Sequence, residues 1–489
     1  MATLQRSLCA LAVASALAAC AVGPDFRAPQ AAPNDRYADN PPTRFEAANA
    51  AQTVRPEAAL PAQWWRAFGS AELDRAVNTA LSNSPTLAQA SARLRQAQED
   101  YAAQQGGTEW PSVDLQLKAT RQQVNPAAFG IPNVPNPGPF NVYNASINVS
   151  YTLDVFGGNR RMLEGAMAQV DYQRFQFEAA RQSLAANVTT TFIRLASTRA
   201  QIDATTRMLA AQSQQLTIMQ QRESLGAVAT VDVRNQATLV AQTRASLAPL
   251  EQQSAQLRHQ LATYMGTSPG EADVQVPKFE SLSLPRELPL SLPSALARQR
   301  PDIRAAEALW HQASADVGVA TANLYPQFTI TGSFGSSRTR VEDVSNGVNV
   351  WSIAAGLMQP IFRGGALRAE KRSAEAAYDA AAAGYRQTVL QALQQVADVL
   401  QALQHDADAV QARSDAATLA EDVYHTTQQR YSLGAVSHLA LLDAERTRAQ
   451  TERDRIAAAA DRMADTAALF QSLGGDWNAA PVTGSRQQH

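Results

Sequence analysis

Histidine and cysteine are the residue types through which this sequence could carry out covalent or metal chemistry. The sequence has six histidines, and none shows metal-ligand spacing such as H-E-x-x-H. These are His259, His311, His405, His425, His438 and His489. We recognise neither a serine nucleophile elbow on a strand-to-helix turn nor a phosphate-binding loop. We therefore expect no enzyme, no metal site and no cofactor, and we interpret His438 as a surface residue.

Cysteine offers a different chemistry, because Cys20 stands where an exported chain can be acylated. Residues 1–19 contain an apolar run, Leu8 to Ala18, that is too short to cross a bilayer and indicates a signal peptide. The run ends in Leu17-Ala18-Ala19-Cys20, which resembles a bacterial lipobox. In a lipobox the cysteine thiol takes a diacylglyceryl group. The alternative is an ordinary signal peptide followed by an incidental cysteine.

The residues around Cys20 agree with a covalent lipid anchor. The other cysteine, Cys9, lies inside the predicted signal peptide, so the mature chain has no disulfide partner for Cys20. Two acyl chains and an amide-linked third would hold the N-terminus stably in a membrane. In the sorting rule of enteric bacteria, aspartate after the cysteine retains a lipoprotein at the inner membrane. Ala21 stands there instead, which resembles the sorting signal of lipoproteins that are sent to the outer membrane.

Charge and length exclude some classes of protein. Lys and Arg number 42 and Asp and Glu number 44, for a net charge of −2. Basic residues are not gathered beside aromatic ones, so we do not expect nucleic-acid binding. A chain of 489 residues exceeds one ordinary compact domain, so we expect several units or one elongated unit.

An internal duplication organises the chain. Residues 222–228 (RESLGAV) recur as 430–436 (RYSLGAV), a shift of 208 at which six of the seven positions match. The predicted organisation is a signal peptide (1–19), a lipidated segment (20–69), a first repeat (70–268), a proline-rich linker (269–293), a second repeat (294–475) and a tail (476–489). Proline density predicts that the linker is extended.

Each repeat is predicted to begin with a helical stretch, over 70–106 and 294–323, and to continue into a β-hairpin. Strict alternation of apolar and polar residues places the hairpins at 111–153 and 326–361. The stretches 125–139 and Arg338–Gly347 are predicted to be their exposed loops.

The strands are about ten residues long, which is enough to cross a bilayer at a tilt. They predict a membrane β-barrel, and a soluble sandwich with a polar outer face is the alternative. Four strands cannot close a barrel, because an open edge in lipid leaves backbone groups unsatisfied. At least two chains must therefore share one barrel, and these arguments do not choose between two, three and four.

Long helices are predicted after the glycine pairs 157–158 and 364–365. Apolar residues over 184–209 and 389–410 are spaced alternately by four and three, which favours helices that coil about neighbours. We expect a continuous helix over 165–221, and an isolated dimeric coiled coil is the alternative. Gly226 and Gly434 are predicted to reverse the helices in tips at 222–230 and 430–437, with Thr230 and Ser437 capping the returning helices.

Three motifs resemble those of the outer-membrane factor family, the TolC-like channels, in its lipoprotein branch that serves resistance-nodulation-division efflux pumps. They are Cys20-Ala-Val-Gly-Pro-Asp25-Phe26, Gln63-Trp64-Trp65-Arg66-Ala67-Phe68, and Leu292-Pro293-Ser294 through Arg300-Pro301-Asp302 to Glu307. The resemblance covers essentially the whole mature chain. It implies an α+β membrane protein, a trimeric duct in which each chain gives four strands to a shared twelve-stranded barrel and two tandem repeats to a long periplasmic α-helical barrel.

The resemblance also implies a function and partners. The chain would be the outer-membrane channel subunit of a tripartite efflux system, a passive exit duct for drugs or other small toxic compounds. Its partners would be its own copies in a homotrimer, a periplasmic adaptor, an inner-membrane resistance-nodulation-division transporter and outer-membrane lipid. The alternative within channels is the duct of a type I protein secretion system. An enzyme and a scaffold are the rival classes outside channels.

Site residues follow from the same resemblance. The adaptor-contacting tips would be Leu225, Gly226, Ala227, Tyr431, Leu433, Gly434 and Ala435. Leu439 and Asp443 would line the resting aperture, where rings of leucine exclude water and rings of aspartate favour cations. Asp443 could instead be a solvated charge on a helix face. Val436 replaces an arginine of TolC, so TolC's own gate-locking salt bridges are not expected.

Overall fold

The structure is a computed structural model that describes residues 22–28, 37, 43–47, 50–58, 60–123, 138–271 and 274–474. Cys20, Ala21 and the tail at 476–489 lie outside these residues, as does most of the predicted loop at 125–139.

The first repeat consists of four helices and a β-hairpin. Helices α1 (Ala71–Asn83) and α2 (Pro85–Glu109) precede strands β3 (Ser112–Gln122) and β4 (Phe140–Leu153). The long helix α3 (Gly158–Ser224) and the returning helix α4 (Thr230–Tyr264) follow. The predicted single helical stretch at 70–106 is therefore wrong, because Ser84 is extended before Pro85, as a residue that precedes proline tends to be.

The second repeat has the same order of elements. Helices α5 (Pro293–Gln299) and α6 (Pro301–Ala322), again broken before a proline, precede strands β6 (Gln327–Arg338) and β7 (Val350–Met358). Helices α7 (Ala366–Ser432) and α8 (His438–Ser472) complete it. Both long helices have 67 residues and both returning helices have 35.

The two hairpins form one antiparallel sheet in the order β3-β4-β6-β7. Strand β4 pairs with β6 in a register that sets Ile147 opposite Phe334 and Tyr151 opposite Ile330, so the two repeats join through their apolar rows. Leu115, Leu117, Trp351 and Ile353 continue these rows on β3 and β7 and are exposed in the single chain. Among the described strands, the outer edges of β3 and β7 have no partner.

A second sheet, in the order β1-β2-β5, was not predicted. Strands β1 (Arg44–Ala47) and β2 (Ala50–Pro56) come from the segment that precedes the first repeat, and β5 (Glu287–Leu290) comes from the proline-rich linker. Strand β2 pairs with β5 in parallel, from Thr53 opposite Glu287 to Pro56 opposite Leu290. The linker is thus partly ordered as an edge strand, a position that tolerates proline.

The chain divides into two compact units. One consists of Met1–Pro29, Arg93–Gln173 and Ala305–Tyr385, and contains the four-stranded sheet. The other consists of Gln30–Ala92, Arg174–Arg304 and Arg386–His489, and contains the small sheet and the helical tips.

The core of the second unit lies along the long helices. The predicted alternation by four and three is seen in buried residues of α3 and α7, including Leu184, Val188, Leu195, Val396, Leu400 and Leu403. None of the helices in the described ranges carries an apolar stretch of the length and hydropathy that crossing a membrane demands.

Candidate functional site

The two helical tips have the same backbone conformation. Gly226 and Gly434 both have φ of 73°, in the left-handed region. In the first tip, Gly226 N donates to Glu223 O at 2.8 Å and Ala227 N donates to Arg222 O at 2.9 Å. In the second tip, Gly434 N and Ala435 N donate to the equivalent carbonyls at 3.0 and 2.8 Å. This pair of bonds is the Schellman motif, which ends a helix on a glycine.

The tips expose apolar side chains. Leu225 and Leu433 are each 83% exposed, and the glycine and alanine that follow each of them are exposed too. Tyr431 is half-buried, one turn before its glycine. The tips therefore present two equivalent apolar points, as an interaction surface would.

Of the two predicted helix caps, one is confirmed and one is wrong. The side chain of Ser437 accepts from Ala440 N at 3.3 Å at the start of α8. Thr230 is the first residue of α4 rather than its cap, and the N-cap is Ala229, which has no polar side chain.

The interpretation of His438 as a surface residue is wrong. Its side chain is buried, with 6% exposure, and its ring lies 5.4 Å from the ring of Tyr431. Neither ring nitrogen has a hydrogen-bond partner among the described residues. Burial lowers the pKa of His438, and the carboxylate of Asp232 at the start of α4 opposes this shift. No pattern near His438 predicts this burial, because it depends on the packing of α4 against α8.

The predicted aperture residues lie one turn apart on α8. Leu439 and Asp443 are both exposed in the single chain. Asp443 Oδ1 accepts from Arg446 Nη2 at 2.8 Å. This pair was missed, although the spacing of three residues between the two opposite charges is a recognisable helix pattern. Each chain thus places a balanced charge pair, rather than a lone carboxylate, beside Leu439.

Polar contacts hold the helices together behind the tips. Gln236 Nε2 on α4 donates to the carbonyl of Gln212 on α3 at 2.9 Å. Burial raises the pKa of Glu445 on α8, and the amide of Gln212 partly offsets this shift. On the second hairpin, Arg448 of α8 pairs with Glu421 of α7. These groups lie within a few helical turns of the tips and join neighbouring helices there.

In two of the motifs that carry the family resemblance, buried side chains pack against or bond to α8. Trp64 and Trp65 are buried, Trp64 stacks on Phe470 at 5.3 Å, and Trp65 Nε1 donates to Asp74 at 2.9 Å. Arg300, also buried, donates to Ser472 O at 2.8 Å at the end of α8. Both motifs therefore fasten the last helix of the second repeat.

Nothing in the described part of the chain is built for metal chemistry. No group of three or more His, Cys, Asp or Glu side chains there is placed to hold a metal ion. The proposed lipid attachment residue Cys20 and the sorting residue Ala21 lie outside the described residues, and the first residue after them that the structure describes is Val22.

Known proteins resemble this chain over nearly its whole length. The family described as "Outer membrane efflux protein" matches residues 76–267 and 292–475. The pyoverdine export outer membrane protein OpmQ of Pseudomonas putida is 29% identical over 487 residues, which is 98% of this chain and 100% of OpmQ. The antibiotic efflux pump outer membrane protein ArpC of Pseudomonas putida is 27% identical over 476 residues, 96% of each chain.

The fold also matches a solved structure. The outer-membrane channel OprN superposes with a TM-score of 0.82 and 28% identity, over 94% of this chain and 100% of OprN.

Proposed function

Because the chain belongs to the outer membrane efflux protein family, whose members are channels and not enzymes, we propose that it is the outer-membrane exit duct of a tripartite efflux system. The family match over both repeats is the observation that carries this proposal. Drugs or other small toxic compounds, expelled by an inner-membrane pump, would leave the cell through it. The energy would come from that pump, because the duct itself does no chemistry.

Three copies of the chain would share one barrel. Each chain supplies four strands with an exposed apolar face, and the edge strands β3 and β7 have no partner among the described residues. Pairing β7 of one copy with β3 of the next satisfies the backbone groups that lipid would leave unbonded. With three copies, the barrel would have twelve strands, within the range of known membrane barrels.

The tips would be the docking surface of a periplasmic adaptor. Leu225 and Leu433 are the most exposed apolar residues of the two tips, and the identical Schellman turns hold them in equivalent positions. Contact of the adaptor with these turns would move the hairpins apart. The ring of Leu439 and Asp443 would then widen and substrate would diffuse out.

Cys20 would carry the lipid, and Ala21 would direct the protein to the outer membrane. A resistance-nodulation-division transporter would be the inner-membrane partner, in line with the motifs that the chain shares with that branch. Small molecules are favoured over proteins as cargo, because OpmQ and ArpC are named for pyoverdine export and antibiotic efflux.

Deletion of the gene tests the cargo class. We expect lower minimal inhibitory concentrations for antibiotics, dyes or phenolic acids, restored by the wild-type gene. Unchanged susceptibility together with loss of a secreted protein would support the type I alternative and contradict the efflux proposal.

Site-directed crosslinking tests the tips. The double variant Leu225→Asp and Leu433→Asp should lose crosslinks to the adaptor, because two charges replace two apolar contacts. Val341→Asp, an equally polar change at an exposed residue between β6 and β7, is the control and should keep them. Equal crosslinking in both variants would remove the tips from the docking surface.

Planar-bilayer conductance tests the aperture. Leu439→Ala combined with Asp443→Ala should raise the single-channel conductance of the resting protein, because the narrowing side chains are shortened. Unchanged conductance would remove both residues from the gate.

A further inference from the structure

The second helical tip buries a titratable residue that the first tip lacks. The repeat offset of 208 residues places His438 where the first tip has Thr230. Thr230 is exposed, whereas His438 is 6% exposed and is the first residue of α8. The same offset places Tyr431, whose ring lies beside His438, where the first tip has Glu223. The two turns thus share a backbone conformation but differ in this buried ring, which directly precedes the proposed aperture residue Leu439.

The ring of His438 lies where three helices come together. Helix α8 begins at this residue, and α4 packs against α8. The ring of Tyr431, one residue before the end of α7, lies 5.4 Å from the histidine ring. Val233 and Leu441, in the first turns of α4 and α8, are each 7% exposed. Both returning helices therefore close off part of their first turns from solvent, and His438 belongs to this closed part.

The buried ring has no polar partner. Neither Nδ1 nor Nε2 of His438 forms a hydrogen bond with any of the described residues. A neutral imidazole loses only its hydrogen bonds with water in such a place, whereas an unpaired imidazolium loses the much larger solvation of a charge. The start of α8 also carries the positive end of the helix dipole, which opposes a cation at its first residue. Burial accordingly lowers the pKa of His438.

The charged groups around the ring do not compensate for its burial. Asp232, in the first turn of α4, favours the protonated ring, but its effect is smaller than that of burial. From α7, the phenol of Tyr431 faces the ring. On α8 itself, Asp443 lies five residues further on and accepts from Arg446 at 2.8 Å. The contact of α4 with α8 therefore favours a neutral His438 over a charged one.

We propose that His438 is a pH-sensitive latch between the two returning helices, and that its protonation separates α8 from α4 and opens the duct. This inference rests on the proposed aperture at Leu439, the next residue of the chain. A buried ring binds protons more weakly than the same ring in water, so acid favours the state in which the helices are apart. The closed contact keeps its advantage above the ordinary pKa of histidine and loses it as pH falls through about 6.5. The bias toward opening grows about tenfold for each pH unit by which burial lowers the pKa.

Single-channel recording of the full-length protein in planar bilayers, at pH 8 and at pH 5, tests the latch. We expect the parent to have a higher open probability at pH 5. His438→Phe keeps an aromatic ring but cannot be protonated, so its open probability should be the same at both pH values. His438→Gln, also neutral, should behave in the same way and serves if phenylalanine disturbs the tip. His425→Gln, at an exposed histidine of α7, is the matched control and should keep the response of the parent.

A further variant tests the role of α4 in the latch. Asp232→Asn removes the carboxylate that favours the cation in the closed contact. It should therefore enlarge the change in open probability between pH 8 and pH 5. A smaller change in Asp232→Asn than in the parent would mean that the carboxylate acts in the open state, which contradicts the proposed contact.

The other outcomes separate the latch from the proposed function. A response to pH that persists in both His438 variants belongs to another group, such as Asp406, and overturns the latch. Channels that ignore pH in the parent, or that close at pH 5, overturn it as well, while the duct itself stands. If no channels form, the proposed function fails and the latch falls with it. Failure of the aperture residues is separate, because it appears at neutral pH as unchanged conductance in Leu439→Ala with Asp443→Ala.

Discussion

Arg462 Nε donates to Gln52 Oε1 at 3.0 Å, and solvent reaches almost none of either side chain. Arg462 lies on α8 and Gln52 on β2, so one bond joins the last helix to the small sheet. Arg462 Nη2 also donates to Phe45 O at 3.3 Å, and Gln52 Nε2 donates to Pro285 O at 3.0 Å. The buried guanidinium therefore bonds strands β1 and β2, and Gln52 extends the contact to Pro285, two residues before β5.

Arg462→Met should lower the free energy of unfolding by about 3 kcal/mol, because buried acceptors on Gln52 and Phe45 lose their donor. The matched control is Arg455→Met, since Arg455 pairs with Glu452 one turn away at a partly exposed site. That control should cost about 0.5 kcal/mol. Thermal or denaturant unfolding of the detergent-solubilised protein measures both. Equal losses of unfolding free energy in the two variants would mean that the buried contact of Arg462 adds no more stability than the partly exposed pair of Arg455.

The Asp443–Arg446 pair predicts opposite effects on ion selectivity. Arg446→Gln should increase cation selectivity, because it leaves an unbalanced carboxylate on each chain near the proposed aperture. Asp443→Asn should decrease it, because it leaves the cation of Arg446. Reversal potentials under a salt gradient measure both. If the reversal potentials of the two variants shifted in the same direction, or did not shift, the pair would lie away from the ion path.

The buried carboxyl of Asp406 predicts a pH dependence of stability. Burial, together with the hydrogen bond and charge of Asp465 and the charge of Asp461, raises the pKa of Asp406 from 3.8 to about 7, and the nearby Arg462 partly opposes this shift. The folded protein therefore holds a proton that the unfolded chain releases above about pH 4. Stability from this group is full at low pH and is lost as pH rises through about 7.

Asp406→Asn stays neutral at every pH, so it should be the more stable protein at pH 8 and should lack this pH-dependent loss. Melting temperatures between pH 5 and pH 8 test this, with Asp408→Asn as the control at an exposed neighbour. A parent whose stability does not fall over this range would contradict the prediction.

The tip glycines predict a purely conformational cost. A Cβ on Gly226 or Gly434 would have no described atom within 4 Å, so alanine would cost only the left-handed backbone strain, about 1 kcal/mol each. Asparagine should cost less, because it adopts this conformation more readily. Gly384→Ala within α7, also in open space, should instead stabilise the protein by about 0.5 to 1 kcal/mol. Denaturant midpoints measure the stability of the three alanine variants. A loss of stability in Gly384→Ala equal to that in the tip variants would contradict the backbone argument.

Periodic features of the sequence predicted the periodic features of the fold. Alternation marked β3, β4, β6 and β7, and the spacing by four and three marked the buried rows of α3 and α7, because burial repeats with the geometry of each element. The repeated Ser-Leu-Gly-Ala-Val located both reversals, since the glycine is required by its positive φ.

Contacts between residues far apart in sequence could not be predicted in this way. Strand β5 has four residues and contains a proline, so neither alternation nor composition marks it. Its partner β2 lies more than 230 residues away. The same holds for the bond that Arg161 donates to Asp25 at 2.6 Å and for the burial of His438, because each depends on which elements the fold brings together.

The contacts of residues 22–26 have a consequence for the order in which the chain folds. Gly23 lies against Gly318, and Phe26 contacts Trp310 and His311, but these three partners are synthesised almost three hundred residues later. Residues 22–26 therefore cannot take their final place until α6 of the second repeat has formed. Their ordering is a late step that marks a completed subunit.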